Sequence, residues 1–186
     1  MIALVIGGAK SGKSMFAQDL AKSLNESCKM YSEGDLENKK GNLYYVATMN
    51  PYDLEDLKRI ENHLKEREGY GFNTIEETMD MSKVSKLIEK NDTVLIDSVT
   101  SIVTNYMFRG KDFFKEVSEE ILSELLEIIN VAGEVVIVSD YLFSDSIQYD
   151  CYTESFRKEI GVINRKLANL ADIVVECSYG NIIYHK

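Results

Sequence analysis

Proline is almost absent from this chain of 186 residues: Pro51 alone could interrupt a helix or a strand by its ring. Cysteine is scarce and odd in number. Cys28, Cys151 and Cys177 have no CxxC spacing, and no second ligand cluster accompanies the two histidines, His63 and His185. A disulfide framework and a zinc-type centre are excluded on that count, and a reducing cytoplasm is the expected compartment. No stretch approaches the roughly 18 apolar residues of a membrane span. The early apolar run Ile2 to Ile6 is far too short to span and has no basic segment before it, so neither a signal peptide nor a membrane anchor is expected. Positive charge is also in deficit, with 21 Lys and Arg against 31 Asp and Glu and a net charge of -10. Such a chain repels a phosphate backbone and an anionic lipid surface, which excludes non-specific nucleic-acid binding. Any phosphate it handles must be held by a local site. What is present is a globular composition, 45% hydrophobic and 28% charged, which excludes disorder and fits one domain over residues 1–186.

Apolar runs of strand length alternate with segments of helical period, the pattern of an α/β domain with a mainly parallel sheet flanked by helices. The first strand is Ile2 to Ile6, followed by a glycine-containing turn and a helix from Met15 to Leu24 with Phe16, Leu20 and Leu24 on one face. Residues 25–42 read as a long, mobile polar loop. Strand Leu43 to Thr48 precedes a charged helix from Asp53 to Glu68, with Leu54, Leu57, Ile60 and Leu64 expected to face inward. A strand around Phe72 to Glu77, a helix from Ser82 to Lys90 and a strand from Thr93 to Asp97 follow. Helical material covers Ser101 to Phe108 and Phe113 to Val131, and a strand covers Glu134 to Ser139. The last helix runs from Thr153 to Ala171, and Ile173 to Cys177 with Asn181 to Tyr184 reads as an antiparallel hairpin turning at Tyr179-Gly180.

The strongest local signal is Gly7-Gly8-Ala9-Lys10-Ser11-Gly12-Lys13-Ser14, which satisfies G-x-x-x-x-G-K-[ST] between a strand and a helix. Glycines let backbone N–H groups wrap a phosphate, and the helix N-terminus adds partial positive charge. Lys13 is expected to reach the β and γ oxygens and the Ser14 hydroxyl to ligate Mg²⁺. Asp97 ends an apolar strand, so its carboxylate emerges at the carboxyl edge of the sheet, where it suits a second Mg²⁺ contact through water. The alternative is that Asp97 caps the helix that follows.

Arg59, His63 and Arg67 are spaced i, i+4, i+8 and share one face of a helix. Such a stripe can clamp triphosphate oxygens, and a neutral imidazole can attack phosphorus to give a phosphoramidate. The spacing alone favours a solvated face on which Glu55 and Glu66 pair with the arginines. A timing GTPase is excluded: no N-K-x-D motif is present, and Asp97-Ser98-Val99-Thr100 lacks the glycine of a switch D-x-x-G.

Taken in order, these residues resemble the bifunctional adenosylcobinamide kinase / adenosylcobinamide-phosphate guanylyltransferase family of cobalamin biosynthesis. The marks are Ile6 to Ser14, Tyr45-Val46-Ala47-Thr48, Arg59-Ile60 with His63 and Arg67, and Phe72-Asn73-Thr74-Ile75-Glu76. Leu95 to Thr100 with Asn105, and Phe156-Arg157, Gly161, Asn164, Ala168 and Ala171-Asp172, complete them. The resemblance implies a P-loop NTPase-like domain that phosphorylates adenosylcobinamide and then transfers GMP from GTP to that phosphate. It implies His63 as the guanylylated residue. It places nucleotide contacts on Gly7 to Ser14, on Ala47, Thr48 and Met49, on Leu64, Lys65, Glu66 and Arg67, and on Glu76 and Asp97. Mg²⁺, GTP or ATP, a corrinoid substrate, a trimeric assembly and a cytoplasmic location come with it. One segment departs: where the family has Asn-Glu-Val-Gly-x-Gly-Ile-Val-Pro, this chain has Asp140 to Gln148 with neither the glycines nor the proline. Two further readings stay open, a kinase or nucleotidyltransferase of the same family with another acceptor, and a nucleotide-binding protein without turnover.

Overall fold

A computed structural model describes residues 1–31, 41–141 and 147–186. Its strands are β1 (Ile2–Gly7), β2 (Leu43–Ala47), β3 (Asn73–Glu76), β4 (Thr93–Asp97), β5 (Glu134–Asp140), β6 (Ile173–Ser178) and β7 (Asn181–Tyr184). Its helices are α1 (Lys13–Tyr31), α2 (Leu54–Glu66), α3 (Ser82–Ser85), α4 (Val99–Met107), α5 (Ser118–Val131) and α6 (Cys151–Leu170). The strands form one sheet in the order β3-β2-β4-β5-β1-β6-β7. All pairings are parallel except β6 with β7, so the expected α/β sheet with a closing antiparallel hairpin is what the chain forms. The central strands are apolar on both faces because both are covered. On one face Leu4, Val46, Val94, Ile96, Val135 and Ile137 meet α4, α5 and α6. On the other, Ala3, Val5, Leu95, Val136 and Val138 meet Ala17 and Ala21 of α1. The hairpin turns at Tyr179 and Gly180, with φ of 50° and 76°, the left-handed pair that two-residue hairpins require.

Several expected elements shift, each for a tertiary reason. Helix α1 continues to Tyr31, so the first seven residues of the expected loop are helical. Buried Asn25 supports that extension, its side-chain amide donating to the carbonyls of Gly41 and Asn42 and to Thr93 Oγ1. The rest of the expected mobile loop, residues 32–40, lies outside the described residues. Helix α3 is a single turn instead of reaching Lys90: the buried Asp92 carboxylate accepts from Glu89 N at 2.6 Å and Asn42 N at 2.7 Å and pulls the chain into a turn. Helix α5 begins at Ser118 instead of Phe113, where Glu159 of α6 accepts from the N–H groups of Val117 and Ser118.

The largest departure concerns α2. Leu54, Leu57 and Leu64, expected to face inward, are 77%, 51% and 47% exposed. The helix is set by its own N-cap, with the Asp53 carboxylate accepting from Glu55 N and Asp56 N, and its apolar stripe lies in solvent.

Candidate active site

Because the strands run parallel, their carboxyl ends collect the chemistry-bearing residues along one edge of the sheet. Glu76 pairs in register with Ala47, Ala47 with Asp97, and Gly7 with Asp140. Strand β5 separates the glycine-loop strand β1 from Asp97's strand β4, which sets them two strand spacings, or about 10 Å, apart.

The loop from Gly7 to Ser14 has the conformation its sequence predicts. Gly12 sits at φ 86°, a left-handed value for which glycine is the natural residue, and Lys10 is held at φ 58°. A Cβ on Gly7 would stand 2.4 Å from Ser11 Oγ and 2.8 Å from the Cys177 carbonyl, so only glycine fits there. The N–H of Ser11 closes the loop on the Gly8 carbonyl at 3.3 Å, and α1 starts at Lys13 with its free N–H groups at the loop. Ala9 and Lys10 are exposed, and Ser11 and Ser14 are half-buried. The Ser11 hydroxyl oxygen is buried with no hydrogen-bond partner. Lys13 Nζ folds back over the loop, 3.3 Å from the Gly8 carbonyl and 2.7 Å from Asp140 Oδ1.

Asp97 does not cap α4. That role falls to Ser98, whose hydroxyl accepts from Ser101 N. The half-buried Asp97 carboxylate instead accepts from the phenol of Tyr45 at 3.0 Å. Tyr45 is buried, and the Arg67 guanidinium lies 3.7 Å over its ring. Burial first, then the charge of Asp97, push the Tyr45 phenol well above the ordinary range for tyrosine, with Arg67 opposing. The three side chains form a continuous contact from Asp97 to the end of α2.

Arg67 is therefore the C-cap residue of α2 and buried at 8% exposure, where the sequence suggested an open cationic stripe. His63 is half-buried one turn earlier, while Leu64 and Lys65 are exposed, with Lys65 paired to Glu61 at 2.8 Å. The side chains of Arg59 and Glu66 lie outside the described residues. Glu76 is exposed at the sheet edge, and Ala47 and Met49 are half-buried. Thr48 is fully buried, with its hydroxyl donating to the Ser98 carbonyl at 2.9 Å and accepting from Ser98 N at 2.7 Å. Beside it, Asn105 donates to the carbonyls of Thr48 and Thr78 and lines a cavity of about 190 Å³ with Met49, Tyr52, Asp56, Ser101 and Thr104. A larger cavity, about 330 Å³, lies at the opposite, amino edge of the sheet.

Three contributors escaped the sequence reading of the site: Tyr45, Asp140 and Thr100, whose Oγ1 accepts from Asp140 N at 3.3 Å. Their signal was positional. Each stands at or near a strand's carboxyl end, but only the strand order brings them to the edge that carries the loop.

Among the described residues no cluster of three or more His, Cys, Asp or Glu forms a metal cage. Mg²⁺ does not need one, since it keeps several waters and takes one or two protein oxygens with substrate phosphates. The Ser14 hydroxyl and Asp97 carboxylate are donors of that kind. The partnerless Ser11 hydroxyl and the N–H groups at the start of α1 fit a phosphate group in the loop.

Two curated relatives are similar to the chain over nearly their whole length. The bifunctional adenosylcobalamin biosynthesis protein CobU of Escherichia coli (strain K12) is 28% identical, with 94% of this chain and 93% of that protein covered. Its namesake from Salmonella typhimurium (strain LT2) is 25% identical over the same shares. Among solved structures, the flagellar accessory protein FlaH of Methanocaldococcus jannaschii is similar at 12% identity and a TM-score of 0.46, covering 97% of this chain and 74% of that one. The model of the cobinamide kinase / cobinamide phosphate guanyltransferase family matches residues 3–183, and the chain belongs to that family.

Proposed function

We propose that this chain phosphorylates the hydroxyl of adenosylcobinamide and then transfers GMP from GTP to the resulting phosphate, as a cytoplasmic enzyme of cobalamin biosynthesis acting through a single domain over residues 1–186. The observation that carries the reading is the shared edge: the phosphate loop with Lys13, the carboxylate of Asp97, and the helix bearing His63, joined to Asp97 through Arg67 and Tyr45. In the kinase step Lys13 opposes charge on the β and γ oxygens while loop N–H groups hold the phosphates. Ser14 and, through water, Asp97 would hold a Mg²⁺ ion, which would supply positive charge against the phosphates. In the guanylyl step neutral His63 attacks the α-phosphorus: an N–P bond forms, the Pα–O bond to pyrophosphate breaks, and pyrophosphate leaves. An oxygen of the acceptor phosphate then attacks the same phosphorus and releases the imidazole. Glu76 and residues 47–49 lie along the same edge and would face the nucleotide. The solvent-facing stripe of Leu54, Leu57 and Leu64 supports association of α2 with further copies of the chain, as a trimer would require.

Intact-mass spectrometry after incubation with GTP and Mg²⁺ tests the covalent step. One added GMP is expected on the wild-type protein and none on His63→Ala. No adduct on the wild type, or an equal adduct on both, overturns the guanylyltransferase half.

A further inference from the structure

Asp140 is the last residue of β5, the strand between the loop strand and Asp97's strand. Its Oδ1 lies 2.7 Å from Lys13 Nζ, and the two side chains are 16% and 12% exposed. The carboxylate is carried by a backbone fixed on both sides: its N–H donates to Thr100 Oγ1 of α4, and its carbonyl accepts from Asn164 Nδ2 of α6 at 3.0 Å. Asp140 therefore holds its place independently of the loop. Lys13 is drawn toward it and toward the Gly8 carbonyl.

A P-loop lysine works on the β and γ phosphate oxygens. Two anions thus compete for one ammonium, a fixed carboxylate and an incoming triphosphate. We propose that Asp140 is a positioning residue for Lys13: it holds the lysine across the loop and yields it to the nucleoside triphosphate, so that the strength of the Lys13–Asp140 pair sets nucleotide affinity. The proposal rests on the loop being the nucleotide site, as above. It does not depend on which acceptor the enzyme uses.

The test is isothermal calorimetry with GTP at concentrations up to millimolar, on the full chain with Asp140→Asn, which keeps the shape and removes the charge. Freeing a lysine from a partly buried pair is expected to tighten GTP binding by about fivefold. Asp140→Glu, which restores the carboxylate, should bind within about twofold of wild type. The same Asp140→Asn change in a Lys13→Met background should alter affinity by less than about twofold, because the competition has been removed. Unchanged or weaker binding by Asp140→Asn overturns the proposal. So does an equal gain in the Lys13→Met background, which would make Asp140 a general repulsive charge. A wild-type protein that binds no GTP overturns the nucleotide reading itself, and with it this inference.

Discussion

Replacing Glu159 by alanine removes the acceptor for two backbone donors at once. Its Oε2 accepts from Val117 N at 2.7 Å and Ser118 N at 2.8 Å, and Val117, Ser118 and Glu159 are all buried. Water cannot take over without opening the junction between α5 and α6. A buried N–H left without an acceptor costs about 1–3 kcal/mol, so two cost about 2–6 kcal/mol. Relief of the carboxylate's own desolvation offsets part of this, which leaves about 3 kcal/mol. For a chain of this size that corresponds to a fall in Tm of about 6–12 °C. Urea denaturation and thermal melts followed by circular dichroism at pH 7 measure both. Glu159→Gln keeps an acceptor oxygen and should lose about 1 kcal/mol. A Glu159→Ala protein within about 0.5 kcal/mol of wild type would refute the claim that this side chain starts α5.

Two further outcomes follow from the same kind of contact. Against burial, which raises it, the N–H groups of Met79 and Asp80 and the ammonium of Lys83 hold the Glu77 carboxyl below its ordinary value of 4.5. The stability it contributes is therefore present above about pH 4.5 and lost as pH falls through the lowered value, so Glu77→Gln should be less stable than wild type by about 1–2 kcal/mol at pH 7, with the difference shrinking as pH falls below about 4.5, by urea denaturation across that range. Gly7→Ala should cost about 1–3 kcal/mol through overpacking, and it should weaken GTP binding at least about tenfold in a calorimetric titration, because the added methyl meets Ser11 Oγ and the Cys177 carbonyl inside the loop.

The central strands were readable because a parallel sheet buried on both faces demands continuous apolar runs, and Thr93 to Ile96 is one. The phosphate loop was readable for a different reason: its backbone conformation dictates glycine at positions 7 and 12, which leaves a fixed pattern in the chain. The elements misjudged were those decided by distant partners. The one-turn α3 depends on Asp92 and the start of α5 on Glu159, neither of which marks the helix it shapes. For α2 the period was right, but a period states only that one face is apolar, not what that face meets. Asp140 was visible only as a departure from a family pattern. Its pairing with Lys13 required knowing that β5 lies beside β1.

The contact of Arg67 with Tyr45 gives α2 a pivot. At 1.5 Å rise per residue His63 stands about 6 Å from that pivot and Leu54 about 20 Å. A tilt of about 15° therefore moves the histidine by under about 2 Å while sweeping the far end through about 5 Å. Helix α2 is in this sense a lever held near its C-terminal end. The exposed leucines of that far end can therefore shift over several ångströms against a neighbouring surface while His63 shifts by under about 2 Å.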